Sequence, residues 1–145
     1  MKFSTKGIYG LQAMLDLAVH CREGTVVLKS IAERQGLSES YLEQLFAVLK
    51  KAKLVKSVRG AQGGYSLADC AERITVGQIL RALEGPVVAH KCAAEKGRPC
   101  STSYNCCITK NVFERIEEGI YKIADSITLA QLAQEFEKDT KNDNS

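Results

Sequence analysis

Long apolar runs are missing from this 145-residue chain. No stretch has the length needed to span a bilayer or the pattern of a signal-peptide core. The first apolar stretch, Ile8 to Val19, is interrupted by Gln12 and Asp16. It reads as an amphipathic helix of a mature protein, so the expectation is a cytoplasmic location and no membrane partner. Histidine is scarce: His20 and His90 are the only two. No Cys-His-acid pattern accompanies them, which argues against a cysteine-dependent enzyme or small redox carrier. Internal repeats and low-complexity segments are absent too.

Acidic residues are sparse in the first half. Met1 to Leu67 holds ten Lys/Arg against five Asp/Glu, whereas the remainder holds ten against twelve. Five basic residues and no acid lie between Lys50 and Arg59. Taken alone, such a run fits a solvated helix end. Beside a helix-turn-helix pattern it is what contact with a phosphate backbone requires.

Apolar spacing predicts a first helix over Thr5 to Cys21, with Ile8, Leu11, Leu15, Ala18 and Val19 on its buried face. A short helix follows over Leu28 to Gln35 and stops at Gly36. A third starts at once, capped by Ser38 or Ser40, and Ser40 with Glu43 has capping-box spacing. Its stripe is Leu42, Leu45, Phe46 and Leu49. Two helices joined by Gly36-Leu37-Ser38 form a helix-turn-helix. The strand-like Leu54 to Arg59, a glycine-rich turn and Tyr65 to Leu67 then make a β-wing. Thr75 caps a helix over Val76 to Leu83.

After a weakly periodic segment, helical order resumes from Thr109 to Asp125. Val112, Phe113, Ile116, Ile120, Ile123 and Ile127 form its apolar stripe, and the expected partner for that stripe is a second copy of the chain. Thr128 caps a short final helix. The predicted fold is mainly α: a winged helix-turn-helix over 1–84, a cysteine-rich loop over 85–107, a dimerisation helix and short terminal helix over 108–136, and a flexible tail over 137–145.

The expected DNA-binding residues follow from this layout. Ser38, Ser40, Tyr41 and Gln44 belong to the recognition helix, where a Gln amide can pair with adenine and hydroxyls position on phosphate. Lys50, Lys51, Lys53 and Lys56 supply electrostatic affinity. Arg59, with Gly60 and Gly63, forms the tip of the wing beside DNA. Glu43 caps its helix or accepts from cytosine.

Six cysteines are many for a chain in a reducing compartment, and Cys92, Cys100, Cys106 and Cys107 fall within sixteen positions. That crowding favours a metal or redox site over a disulfide framework. Thiolates suit zinc and iron–sulfur clusters about equally, and neither Cys-x2-Cys pairs nor ferredoxin spacings occur. Cys21 reads as a buried small hydrophobe, Cys70 has no evident partner, and His20 reads as a helix-end residue.

The segments Met1–Gly10, Ile31–Ser38, Ser40–Phe46, Val58–Tyr65, Ile74–Gly77 and Ser126–Leu129, with the cysteine cluster between them, closely resemble the IscR/NsrR family of bacterial winged-helix transcription regulators. The resemblance covers essentially the whole chain. It implies a homodimer with crossed C-terminal helices on a double-stranded DNA operator of approximate two-fold symmetry. It also implies an iron–sulfur cluster, 2Fe–2S or 4Fe–4S, on Cys92, Cys100 and Cys106. A histidine or acid serves as fourth ligand in family members, but the matching positions here are Thr109 and Ile8. Cys107, His90, solvent or a small thiol remain for that place. The family also contains cluster-free regulators switched by thiol oxidation or a protein partner.

Overall fold

The computed structural model describes residues 3–61, 63–85 and 105–144. Helix α1 (Thr5–His20) begins where Ser4 Oγ accepts the Gly7 N–H, satisfying one of the free donors of a helix start. Its buried face is not the predicted one. Gly7, Gly10, Ala13, Met14, Leu17 and Ala18 are buried, while Ile8 is 48% exposed and Leu11, Leu15 and Val19 are partly exposed. The helix is apolar on most sides, so periodicity alone selects no face. Its two glycines do: a Cβ at Gly7 or Gly10 would run into Glu84 or Leu83, so the nearest helix approaches where side chains are smallest.

Helix α2 (Leu28–Gln35) ends at Gly36, whose φ of 66° is left-handed, and the Leu37 N–H returns to the Ala32 carbonyl. Glycine adopts that conformation without a Cβ penalty. Helix α3 (Glu39–Lys51) follows. Ser38 is its cap, accepting the Tyr41 N–H at 3.1 Å. The predicted Ser40–Glu43 capping box therefore does not form: Ser40 already lies inside the first turn, and both side chains are exposed. Leu42, Leu45, Phe46 and Leu49 are buried as predicted. A turn with Lys53 at φ 62° closes the helix.

Strands β1 (Val55–Val58) and β2 (Gly64–Leu67) pair antiparallel, Val55 opposite Leu67 and Val58 opposite Gly64. Val26 exchanges two backbone hydrogen bonds with Tyr65 (2.8 and 2.7 Å). The Tyr65 ring packs edge-on against Phe46 at 4.9 Å. The wing is thereby fastened to the recognition helix and to Val26, two positions before α2.

Helix α4 (Val76–Glu84) opens with a capping box between Thr75 and Gln78. Helix α5 (Asn105–Asp125) starts four residues before the predicted Thr109, so Cys106 and Cys107 lie in its first turn and not in a loop. Helix α6 (Leu129–Asp143) opens with a second capping box, Thr128 with Gln131, and runs through most of the expected flexible tail. Arg22 pairs with Glu137 at 2.8 Å, and Thr140 Oγ donates to the Phe136 and Glu137 carbonyls. The polar tail has only Glu137, Lys138 and Lys141 as good helix formers among Asp, Asn and Thr, so it extends a helix already nucleated rather than forming one by its own propensity. An isolated bridge, Thr75 opposite Thr128, ties the start of α4 to that of α6. Among the described residues no helix is long and apolar enough to cross a membrane.

Candidate nucleic-acid interface and cysteine segment

On α3, Ser40, Glu43, Gln44, Ala47, Lys50 and Lys51 are exposed at spacings of three and four, which places them along one side of the helix. Of the four predicted readers, Ser40 and Gln44 are on this side. Ser38 is exposed, but its hydroxyl is engaged as the helix cap. The Tyr41 hydroxyl is buried with no hydrogen-bond partner among the described residues, and the Tyr41 ring meets Tyr9 edge-on at 6.3 Å. It braces α3 against α1. Ala47 was missed by sequence reasoning, although its spacing from Ser40 and Gln44 signals it. A methyl group there leaves room for a base edge.

Lys56 on β1 and Arg59 beyond it are exposed, as predicted. Gly60 has φ 121°, a conformation side-chain-bearing residues rarely adopt. A Cβ at Gly63 would collide with the backbone of Val58 and Gly60. Both glycines are thus needed to turn the wing itself, before any question of closeness to DNA.

Cys92, Cys100 and His90 lie outside the described residues. Cys106 and Cys107 occupy successive positions in the first turn of α5. Ile8 and Thr109, which replace the acid and histidine of family members, are both exposed. Among the described residues no group of three or more His, Cys, Asp or Glu side chains is assembled for a metal.

The near flank of the cysteine segment is held from two sides. The Glu84 carboxylate accepts both the backbone N–H and the hydroxyl of Ser4 (2.8 Å each), at the start of α1. The Gly85 carbonyl accepts the Tyr121 hydroxyl of α5 at 3.4 Å. Arg81 forms a bidentate pair with Asp125 (2.7 and 2.8 Å) and lies over the Tyr121 ring at 4.5 Å. The Arg81 hydrogen bonds hold the Asp125 carboxyl below its ordinary value, and burial, followed by Glu117, raises the Tyr121 hydroxyl.

Helix α5 buries Tyr121 and Ala124 against Val76 and Leu80. Along its length Val112, Phe113, Ile116 and Ile123 are 42–66% exposed. For the middle of a helix, that is a large apolar surface left in water.

The model of the Rrf2 family, described as iron-dependent transcriptional regulators, matches residues 3–135. The HTH-type transcriptional regulator IscR of Erwinia tasmaniensis is 44% identical over 137 residues, covering 94% of this chain and 81% of the relative. Among solved structures, T. potens IscR aligns with a TM-score of 0.76 and 54% identity, covering 95% of this chain and 90% of the other. CymR of B. subtilis, described as its global cysteine regulator, aligns with a TM-score of 0.72 and 42% identity, covering 92% and 97%. The chain belongs to the Rrf2 family and is a winged-helix transcription regulator of the IscR type.

Proposed function

We propose that the protein is a cytoplasmic homodimeric repressor whose hold on an approximately two-fold symmetric operator is set by an iron–sulfur cluster, and that it governs cluster assembly or iron homeostasis. The observation that carries this reading is the composition of α5. One helix bears Cys106 in its first turn and an exposed apolar stripe from Val112 to Ile123. Pairing α5 with its copy fixes the distance between two recognition helices, and a change at Cys106 acts on the same rigid rod.

The donor set fits the cofactor. Cys92, Cys100 and Cys106 supply three soft thiolates, one at a helix N-terminus, with Cys107 or His90 for the fourth place. When bound, the cluster supplies an iron–thiolate centre, of two or four irons, that is gained or lost with iron and oxidant supply. The chain's own residues do the rest. Gln44 and Ser40 read base edges, Lys50, Lys51, Lys56 and Arg59 neutralise phosphates, and Glu84 and Gly85 tie the start of the cysteine segment to α1 and α5. Operator affinity and ligation by the cysteines are then reciprocally coupled.

The test is an anaerobic preparation with an absorption spectrum and iron and sulfide content, for wild type and Cys100→Ala. Brown wild type with acid-labile sulfide, beside a colourless variant, supports the reading. A second reading, a cluster-free regulator switched by thiol oxidation or a protein partner, is favoured by the 42% identity to CymR. Colourless, iron-free wild type that resists reconstitution selects it and leaves the DNA-binding assignment standing.

A further inference from the structure

The two cysteines outside the cluster segment line one cavity. It measures about 710 Å3 and lies between the end of α1, the base of the wing, the turn at Asp69–Glu72 and α6. That volume is typical of small-ligand sites. Cys21 is half-buried and packs on the core, and Cys70 is exposed. Four charged side chains share the lining. Two are committed: Arg22 pairs with Glu137, and Asp69 accepts the Cys70 N–H at 2.8 Å. The other two, Lys56 and Glu72, make no side-chain hydrogen bond or ion pair among the described residues. One cation and one anion around a thiol-bearing cavity complement a zwitterion, and the thiol adds a reactive group that a simple amino-acid site does not need.

We propose that this cavity takes small zwitterionic disulfides of the cystine class and that Cys70 is thiolated there. The Cys70 thiolate attacks one sulfur of the bound disulfide. Its S–S bond breaks, a new S–S bond joins Cys70 to one half, and the other half leaves as a thiolate. The small disulfide is the oxidant, so no further reagent is required. In the DNA-free protein Lys56 holds a carboxylate of the ligand and Glu72 its ammonium.

Full-length protein, stripped of metal and kept anaerobic, is treated in parallel with cystine and with the uncharged bis(2-hydroxyethyl) disulfide. Labelling at each cysteine is followed by peptide mass mapping, and each rate is divided by that of the same reagent with a free model thiol. The expected result is a cystine preference at Cys70 of about fivefold, what two partly exposed ion pairs supply. Glu72→Gln, an exposed position, reduces the preference at Cys70, and Cys70→Ser loses the adduct. Equal normalised rates for the two reagents, or a preference unchanged in Glu72→Gln, overturn the proposal. So does an internal Cys21–Cys70 disulfide with no retained adduct.

Discussion

Asp16 shows how much one residue decides. Its side chain is 3% exposed, and Arg34 reaches it through Nε (3.1 and 2.9 Å) and a terminal nitrogen (2.6 Å), with Gln35 at 3.0 Å. This fastens α1 to the end of α2, next to the Gly36 turn. The two partners are not equivalent, because the Arg34 side chain is 36% exposed. Arg34→Met takes the strongest partner from a buried carboxylate, leaving Gln35 and His20, and costs about 3 kcal/mol. Asp16→Asn leaves a neutral amide and a cation that can turn to water, for about 1–2 kcal/mol. Urea unfolding of both variants checks the order, and a larger loss for Asp16→Asn contradicts it. On the DNA side, Gln44→Ala is expected to cost about 1–3 kcal/mol and to relax selectivity at a single base pair. Lys56→Ala weakens all sequences alike and lowers the salt slope by about one. Binding to a library of single-base operator variants at two salt concentrations separates the two.

At the scale of elements, legibility followed how sharply each element marks its own ends and faces. The helix-turn-helix and wing were readable because Gly36, Ser38 and the glycines at 60, 63 and 64 punctuate the chain at the turns they build. The face of α1 was not, since small residues rather than large apolar ones mark its closest contact. The burial of the Tyr41 hydroxyl was not legible for a related reason: position along α3 places a ring at a helix edge without telling whether α1 lies beside it. Composition also misled at the chain end, where polar residues extend α6. Of the apolar stripe read for α5, Val112, Phe113, Ile116 and Ile123 are exposed, Ile120 is half-buried, and Ile127 lies beyond the helix end; the exposed part makes a prediction. Ile116→Glu raises the dimer dissociation constant more than about a hundredfold, because each protomer loses about 1.5–3 kcal/mol of apolar burial in a symmetric interface. Sedimentation velocity across a dilution series measures this. An unchanged dimer places the interface elsewhere.

For the whole molecule, the end of α4 just before the cysteine segment touches both α1 and α5. Glu84 accepts two hydrogen bonds from Ser4, the N-cap of α1, and Gly85 is held by Tyr121 of α5. The cysteine spacing was visible in the sequence, whereas this bracing was not. It links residues 80 positions apart in one case and 36 in the other, and nothing local announces either pair. A state change in the segment therefore has a short route to both ends of the molecule. The central claim is that this route couples ligation to operator binding. Its most direct test is the operator dissociation constant of one anaerobic preparation before and after chelation of its iron, at fixed salt, beside Cys100→Ala. The account predicts at least about a fivefold change, the lower end of typical coupling energies, with the variant fixed at the chelated value. Equal affinities in the loaded and chelated states, at every operator tried, contradict it.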